Sequence, residues 1–207
     1  PRMCKKTKLT TKQPKTGVVQ EVMLNCQFEA ILLAVRDCGE ADRMVTLFSQ
    51  EYGKITAIAY GARRPKRRVA GTLQPFAVVD VELARAKGLP KIKQCVIIQS
   101  FRKLRADLAY MAYASLIAEL VAILCPEQQP EPEVYDLVLA AFNLLQQRNP
   151  RVVTLACIWQ LLALTGFYPQ YKHCLQCGQE ISFPAYFDAA EGGAVCLSCG
   201  ATSKLPL

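Results

Sequence analysis

Histidine is almost absent from this sequence, and its scarcity disfavours the commonest catalytic arrangements. The one histidine among 207 residues is His173, which directly precedes Cys174. A Ser-His-Asp or Cys-His arrangement needs an imidazole that is free to move a proton, whereas this one adjoins a closely spaced cysteine pair. Glycine-rich loops of the nucleotide-binding kinds are also missing. We therefore expect a binding protein, not an enzyme.

Long apolar segments are equally scarce. Residues 1–17 are basic and polar with no apolar stretch after them, so we expect no secretory signal and a cytoplasmic protein. The uncharged run 152–171 contains Gln160, Gly166 and Pro169, and its continuous apolar part is too short to cross a bilayer. A buried core helix is the better interpretation of this run, and no membrane span is predicted.

Charge is divided unevenly along the chain. Residues 1–105 carry 21 lysines and arginines against 8 acidic residues, whereas residues 106–207 carry 4 against 9, so the two net charges are +13 and −5. A phosphate polymer is the usual partner of such a basic half, because neutralising its charges releases condensed counterions. An acidic protein or a membrane surface is the alternative at this point.

The densest charge lies in the stretch "YGARRPKRRVAG" at 60–71. Five cations occupy positions 63–68, interrupted only by Pro65. Mutual repulsion, the proline and the flanking glycines disfavour regular structure, so we predict an exposed loop over 62–70 that binds an anion. The alternative is a loop that is merely solvated. The five cations are Arg63, Arg64, Lys66, Arg67 and Arg68.

Short apolar runs rich in β-branched residues follow one another up to residue 100. In "FAVVDVELAR", Asp80 and Glu82 alternate with Val79, Val81 and Leu83, as a half-buried strand requires. Five such runs predict a small β-barrel, with the basic loop joining the third to the fourth. The runs are "FEAILLAVR", "MVTLFSQ", "KITAIAYG", "FAVVDVELAR" and "KQCVIIQSF".

After residue 104 the apolar spacing changes to three and four residues, which predicts helices. The first ends before Pro126, and the second begins at Pro132. A third opens with Asn149 as its cap and stops at Gly166. Because the third is apolar on nearly all sides, we predict that it is the buried centre of the helical part.

Two cysteine pairs near the C-terminus have the spacing C-x2-C-x18-C-x2-C. Each pair is followed by a glycine that suits a tight knuckle, and an expected hairpin near 192–193 would bring the pairs together. We predict one structural Zn²⁺ per chain, because four thiolates leave no open coordination position for catalysis. Two disulfides or four free thiols are the alternatives. The predicted ligands are Cys174, Cys177, Cys196 and Cys199.

The order of these parts resembles the bacterial recombination mediator family RecO. The resemblance covers about residues 25–200 and rests on "RDCGEADRMVTLFSQEYGKITAIAYGARRPKRR", "LQPF", "LRADLAYMAYASLIAEL", "LLALTGFYP", the cysteine pairs and "EGGAVC". It implies an OB-fold, a helical C-terminal domain and a role in recombinational repair of the RecF-type pathway in the bacterial cytoplasm, in association with the nucleoid. Members bind single- and double-stranded DNA, anneal strands, and work with RecR and the single-stranded DNA-binding protein to help load RecA.

With that resemblance, the predicted fold class is α+β. A flexible basic tail at 1–21 precedes an OB-fold DNA-binding domain at 22–104, and a helical domain at 105–207 carries a zinc-ribbon-like element at 173–200. Family members commonly continue with further helices beyond the position of Leu207, and without them we expect apolar surface on the helical domain.

The resemblance also supplies the anion that the basic loop is predicted to bind. OB-folds bind strands with a cationic groove and aromatic platforms. Tyr60, Phe76 and Phe48 are candidate stacking groups, although each suits the barrel core equally well. An interaction scaffold whose basic loop docks an acidic protein is the alternative function, and a nuclease or other zinc enzyme is the third. Besides the five loop cations, the predicted DNA-binding residues are Arg36, Arg43, Lys54, Lys91 and Lys93.

Overall fold

The computed structural model describes residues 27–64, 68–84, 88–200 and the short strand at 205–206. The predicted tail at 1–21 lies outside the described residues. So do Lys66 and Arg67 of the basic loop and the side chain of Arg68.

The five predicted strands are confirmed and close into a barrel. The barrel order is β1-β2-β3-β5-β4, with β3 and β5 parallel and every other neighbouring pair antiparallel. Closure in this order is the OB-fold arrangement. The strands are β1 (Gln27–Cys38), β2 (Asp42–Ser49), β3 (Gly53–Ala59), β4 (Val78–Ala84) and β5 (Lys91–Gln99).

The alternation in the sequence sets which side chains fill the barrel. In β3, Ile55, Ala57 and Ala59 are buried and the residues between them are half-exposed. In β4 the buried residues include Val79 and Val81. Because successive side chains of a strand point to opposite faces, each strand gives one face to the core and the other to its surroundings.

The three long helices follow the barrel and lie where the apolar period predicts them. A short helix, Arg68–Thr72, lies instead between β3 and β4, so the prediction of a loop over 62–70 is wrong for residues 68–70. The Asp107 carboxylate caps α3 by accepting from the backbone N–H of Ala109 at 2.8 Å, and Asn149 Oδ1 caps α5 by accepting from the N–H of Arg151 at 3.0 Å. None of the described helices is long and apolar enough to cross a membrane. The helices are α1 (Arg68–Thr72), α2 (Arg102–Ala106), α3 (Leu108–Leu124), α4 (Pro132–Leu145) and α5 (Pro150–Leu164).

Helix α4 packs directly on the barrel. The ring of Phe142 lies 5.6 Å from that of Phe76 and 5.8 Å from that of Phe101, both in edge-to-face contact. Tyr135 donates its hydroxyl to Glu29 of β1 at 3.0 Å. Burial is the largest cause that raises the pKa of Tyr135, and the bond to Glu29 adds to it.

The prediction that α5 is a buried centre is wrong. Val152, Leu155 and Trp159 are 65%, 68% and 43% exposed, while Cys157 and Leu161 on another side are buried. A helix that is apolar on all sides does not reveal from its sequence which side packs, because every side has the same affinity for a core.

The chain divides into two compact units, Pro1–Cys157 and Ile158–Leu207, with the division inside α5. The second unit contains a three-stranded sheet in the order β7-β6-β8. The predicted hairpin is confirmed, with Asp188 opposite Gly193 next to its turn. The strands are β6 (Ala185–Asp188), β7 (Gly193–Cys196) and β8 (Leu205–Pro206). The domain boundary predicted at residue 104 stays a prediction.

Candidate nucleic-acid interface and candidate metal centre

The start of the basic loop, which follows β3, is hydrogen-bonded to the connection between β1 and β2. The backbone N–H of Gly61 donates to the Asp42 carboxylate at 2.7 Å, and Gly61 has a φ of +65° that favours glycine. The N–H of Arg63 donates to the carbonyl of Ala41 at 2.9 Å, and its Nη1 donates to the carbonyl of Gly39 at 3.2 Å. The start of the loop is therefore attached to a defined part of the barrel.

Two of the predicted cations meet at that end of the barrel. Arg43 lies opposite Asp37 in the β1–β2 ladder, two positions beyond the core pair of Val35 and Val45. Its Nε donates to Asp37 Oδ1 at 3.2 Å. The Nε of Arg63 lies 3.5 Å from the other Asp37 oxygen. One carboxylate thus joins a cation of β2 to the first cation of the basic loop.

The other predicted cations differ in how accessible they are. Arg36, Arg64 and Lys91 are exposed. Lys93 forms an ion pair with Glu82, with the Lys93 Nζ 2.6 Å from the carboxylate oxygen.

Among the predicted cations whose side chains the structure describes, Lys54 is the most enclosed. Its side chain is 12% exposed, its Nζ donates to the carbonyl of Ala122, and Glu127 lies 3.8 Å away. The ammonium of Lys54 already contacts α3 and the segment after it, which makes Lys54 the weakest DNA contact among the predicted cations that the structure describes.

Two of the three aromatic residues considered as stacking groups are core residues. Phe48 is fully buried, with its ring 6.2 Å from that of Tyr135, and Phe76 is 4% exposed. Neither ring has a face available for a base, since a stacking platform must be open to the strand. Tyr60, at 49% exposure, is the candidate that stays accessible.

A groove of about 650 Å³ runs between the barrel and α3, and sequence reasoning missed it. Arg36, Lys54 and Arg105 contribute cations to its lining, and Glu119 and Glu127 contribute carboxylates. The guanidinium of Arg105 already has hydrogen-bond acceptors, among them the carbonyl of Pro75 at 3.1 Å. No sequence motif marks the groove, because it exists only where a helix packs against strands distant in the chain.

The four paired cysteines lie together in the second unit. All four sulfur atoms are within 4.8 Å of one another, and the Sγ atoms of Cys177 and Cys196 are 3.8 Å apart. Tetrahedral zinc with Zn–S bonds of about 2.3 Å requires sulfur atoms about 3.8 Å apart, so the arrangement fits such an ion. A disulfide between Cys177 and Cys196 is excluded in this structure, because S–S bonds are about 2.05 Å long.

Backbone geometry supports negative charge at this cluster. The N–H of Cys196 points at Cys174 Sγ with an N–S distance of 3.4 Å, and this bond is the largest cause that lowers the pKa of Cys174 to about 6. Hydrogen bonds with Cys196 and then Cys177 raise the pKa of Cys199 to about 12. Four crowded thiols do not all ionise by themselves, whereas a coordinated metal ion deprotonates its thiol ligands.

Glycines shape the two knuckles differently. Gly178 follows the first pair at a φ of +73°, where other residues are strained. A Cβ on Gly200, after the second pair, would lie 2.5 Å from the ring of Tyr186. His173 is exposed and is not part of the sulfur cluster. The described donor set is therefore four cysteines.

Two family models match the chain. "Recombination protein O N terminal" matches residues 23–101, which contain the barrel, and "Recombination protein O C terminal" matches residues 105–206, which contain the long helices and the cysteine cluster. The chain belongs to the RecO family. Its role accordingly lies in DNA repair and recombination.

Individual relatives agree with this assignment. The DNA repair protein RecO of Pelotomaculum thermopropionicum is 36% identical over 179 residues, which are 86% of this chain and 70% of the relative. The protein of the same name from Anaeromyxobacter dehalogenans strain 2CP-C is 38% identical over 184 residues, 86% of this chain and 72% of the relative. That from Bacillus subtilis is 34% identical over 173 residues, 83% of this chain and 67% of the relative.

Proposed function

We propose that this protein is a DNA-binding recombination mediator that binds single- and double-stranded DNA and anneals complementary strands. The observation that carries the proposal is the cationic end of the barrel, where Arg43 of β2 lies beside Arg63 at the start of a five-cation loop. Arg64 continues this surface as an exposed cation. A surface of this kind binds phosphates without reading sequence.

Annealing follows from the same electrostatics. Two complementary strands are polyanions, and their mutual repulsion slows their encounter. Cations on one protein surface lower the charge of the bound strand and release its counterions, so a second strand approaches more readily. The protein needs no bond-making chemistry for this step, and we propose that it is not an enzyme.

We propose that the role of the cysteine cluster is structural. Cys174, Cys177, Cys196 and Cys199 would hold one Zn²⁺. An ion with four thiolate ligands has no open position for water or substrate, so it would join the knuckles and stabilise the second unit.

The proposed protein partners are those that the RecO family implies, namely RecR and the single-stranded DNA-binding protein, with RecA loaded as the outcome. A mediator needs DNA binding and protein contacts at once. Annealing by cations requires only the binding of DNA and no protein partner. It can therefore be measured with the purified protein alone.

Strand annealing and DNA binding across a salt series test the proposal. We expect annealing of complementary oligonucleotides to be faster with the protein than without it, and binding to weaken steeply as salt increases. If an acidic protein binds the basic loop while DNA does not bind at physiological salt, the scaffold interpretation replaces the mediator.

A further inference from the structure

A single carboxylate stands between two arginines at the cationic end of the barrel. Asp37 Oδ1 accepts from Nε of Arg43 at 3.2 Å, and Asp37 Oδ2 lies 3.5 Å from Nε of Arg63. Both arginines therefore face the carboxylate with their Nε edge. The Nη groups of Arg43, and Nη2 of Arg63, have no protein acceptor among the described residues.

The backbone beneath these side chains is held firmly. Asp37 and Arg43 face each other on adjacent antiparallel strands. Arg63 is tied to the same turn by its backbone bond to Ala41 at 2.9 Å and by its Nη1 bond to Gly39 at 3.2 Å. Two guanidinium groups are thus presented side by side from fixed positions, with donors left over that match the geometry of a phosphate group.

We propose that Arg43 and Arg63 form a site for one phosphate group of the DNA backbone, and that Asp37 is the positioning residue that holds them together. This inference rests on the proposed function, because it assigns a particular phosphate contact within the DNA-binding surface. Asp37 itself donates nothing to the phosphate, so its contribution is the placement of its two neighbours.

The effect of Asp37 on DNA affinity combines two opposing contributions. Its charge repels the phosphate, but the carboxylate is 54% exposed, where water and salt screen the repulsion. Its hydrogen bond and ion pair restrict two long side chains that DNA would otherwise have to immobilise on binding. Since the repulsion is screened and the ordering is not, we expect the positioning effect to be larger.

The chain offers a matched control for the charge alone. Glu40 lies in the turn between β1 and β2, three residues after Asp37. Its carboxylate is exposed and has no ion pair among the described residues. Asp37→Asn and Glu40→Gln each remove one negative charge from this end of the barrel. Only the first also removes the ion pairs with Arg43 and Arg63, and it replaces one of the two acceptor oxygens between them by an amide NH2 donor.

The experiment measures the affinity of the full chain for a fluorescein-labelled oligo-dT strand over a salt series. We expect Glu40→Gln to bind as tightly as the parent or slightly more tightly. Asp37→Asn should bind about three- to tenfold more weakly than Glu40→Gln, with a log-log salt slope shallower by about 0.7, the value for one single-strand phosphate contact. A residue with only a structural role would not change that slope.

A second background separates positioning from folding. In a protein already carrying Arg43→Gln and Arg63→Gln, the loss caused by Asp37→Asn should disappear, because no arginine is left to position. If Asp37→Asn binds as tightly as Glu40→Gln with the parent's slope, or if its loss persists in that background, the inference is wrong while the proposed function stands. A parent protein that does not bind oligo-dT overturns both.

Discussion

Substitution of Gly53 by alanine is a sharp test of how the barrel packs against the segment that follows α3. It begins β3 at a φ of +68°, and a Cβ built there would lie 1.9 Å from the carbonyl oxygen of Gln129. Substitution by alanine therefore forces backbone atoms apart. The bond from the N–H of Gln128 to the carbonyl of Lys54, 2.8 Å long, lies in the contact that must open.

The magnitude follows from two contributions. A non-glycine residue in the left-handed region costs about 1–2 kcal/mol. Loss of one backbone hydrogen bond adds about 0.5–1.5 kcal/mol, more if the groups stay buried. Gly53→Ala should therefore lower the free energy of unfolding by about 1.5–3.5 kcal/mol.

Gly39 is the control, because its φ is +62° but nothing lies within 4 Å of the Cβ that alanine would add. Gly39→Ala should cost only the conformational part, about 1–2 kcal/mol. Urea unfolding of both variants, followed by circular dichroism, measures the difference. Equal costs for the two substitutions would refute the close approach of Gln129 to Gly53.

Three further outcomes are expected. Metal analysis of protein purified under reducing conditions should find about one zinc per chain, and Cys196→Ser should lower both the zinc content and the unfolding temperature; a metal-free parent would contradict the zinc proposal. The free energy of unfolding should fall as pH rises above about 10, because unfolded tyrosine ionises there while Tyr135 stays protonated, and Tyr135→Phe should make this fall less steep in urea titrations. Incubation with DNA and magnesium or manganese should give no cleavage on a denaturing gel; turnover that copurifies with the protein would overturn the non-enzyme proposal.

Where the sequence carries a period or a fixed spacing, it predicts the structure well. Val79 and Val81 alternate with Asp80 and Glu82, and this alternation places β4 in a barrel with one face inward. The spacing of the two cysteine pairs predicts that their four sulfur atoms lie together, since the knuckles and the hairpin between them are local features.

Contacts between distant segments were not predictable in the same way. Phe48 and Phe76 have the character of both core and stacking residues, and only the packing of α4 shows that they are buried. The enclosure of Lys54 depends on Ala122 and Glu127, which are about 70 positions away in the chain. The pairing of Asp37 with Arg63 joins β1 to the loop after β3, and it depends on the bonds from Arg63 to the turn at 39–41, which no sequence pattern marks.

The central claim is that the basic loop binds DNA through its cations, and the salt dependence of binding tests it most directly. The perturbation replaces all five loop cations by alanine in one variant. Each single-strand phosphate contact contributes about −0.7 to the log-log slope, so five contacts contribute about −3 to −4. The replaced residues are Arg63, Arg64, Lys66, Arg67 and Arg68.

The variant should bind DNA of any sequence more weakly, show a slope shallower by about 3 to 4, and anneal complementary strands more slowly, while its zinc content stays at the parent's level. The scaffold interpretation predicts instead that annealing is kept and an acidic protein partner is lost. Affinity, salt slope and annealing rate that all match the parent would contradict the account.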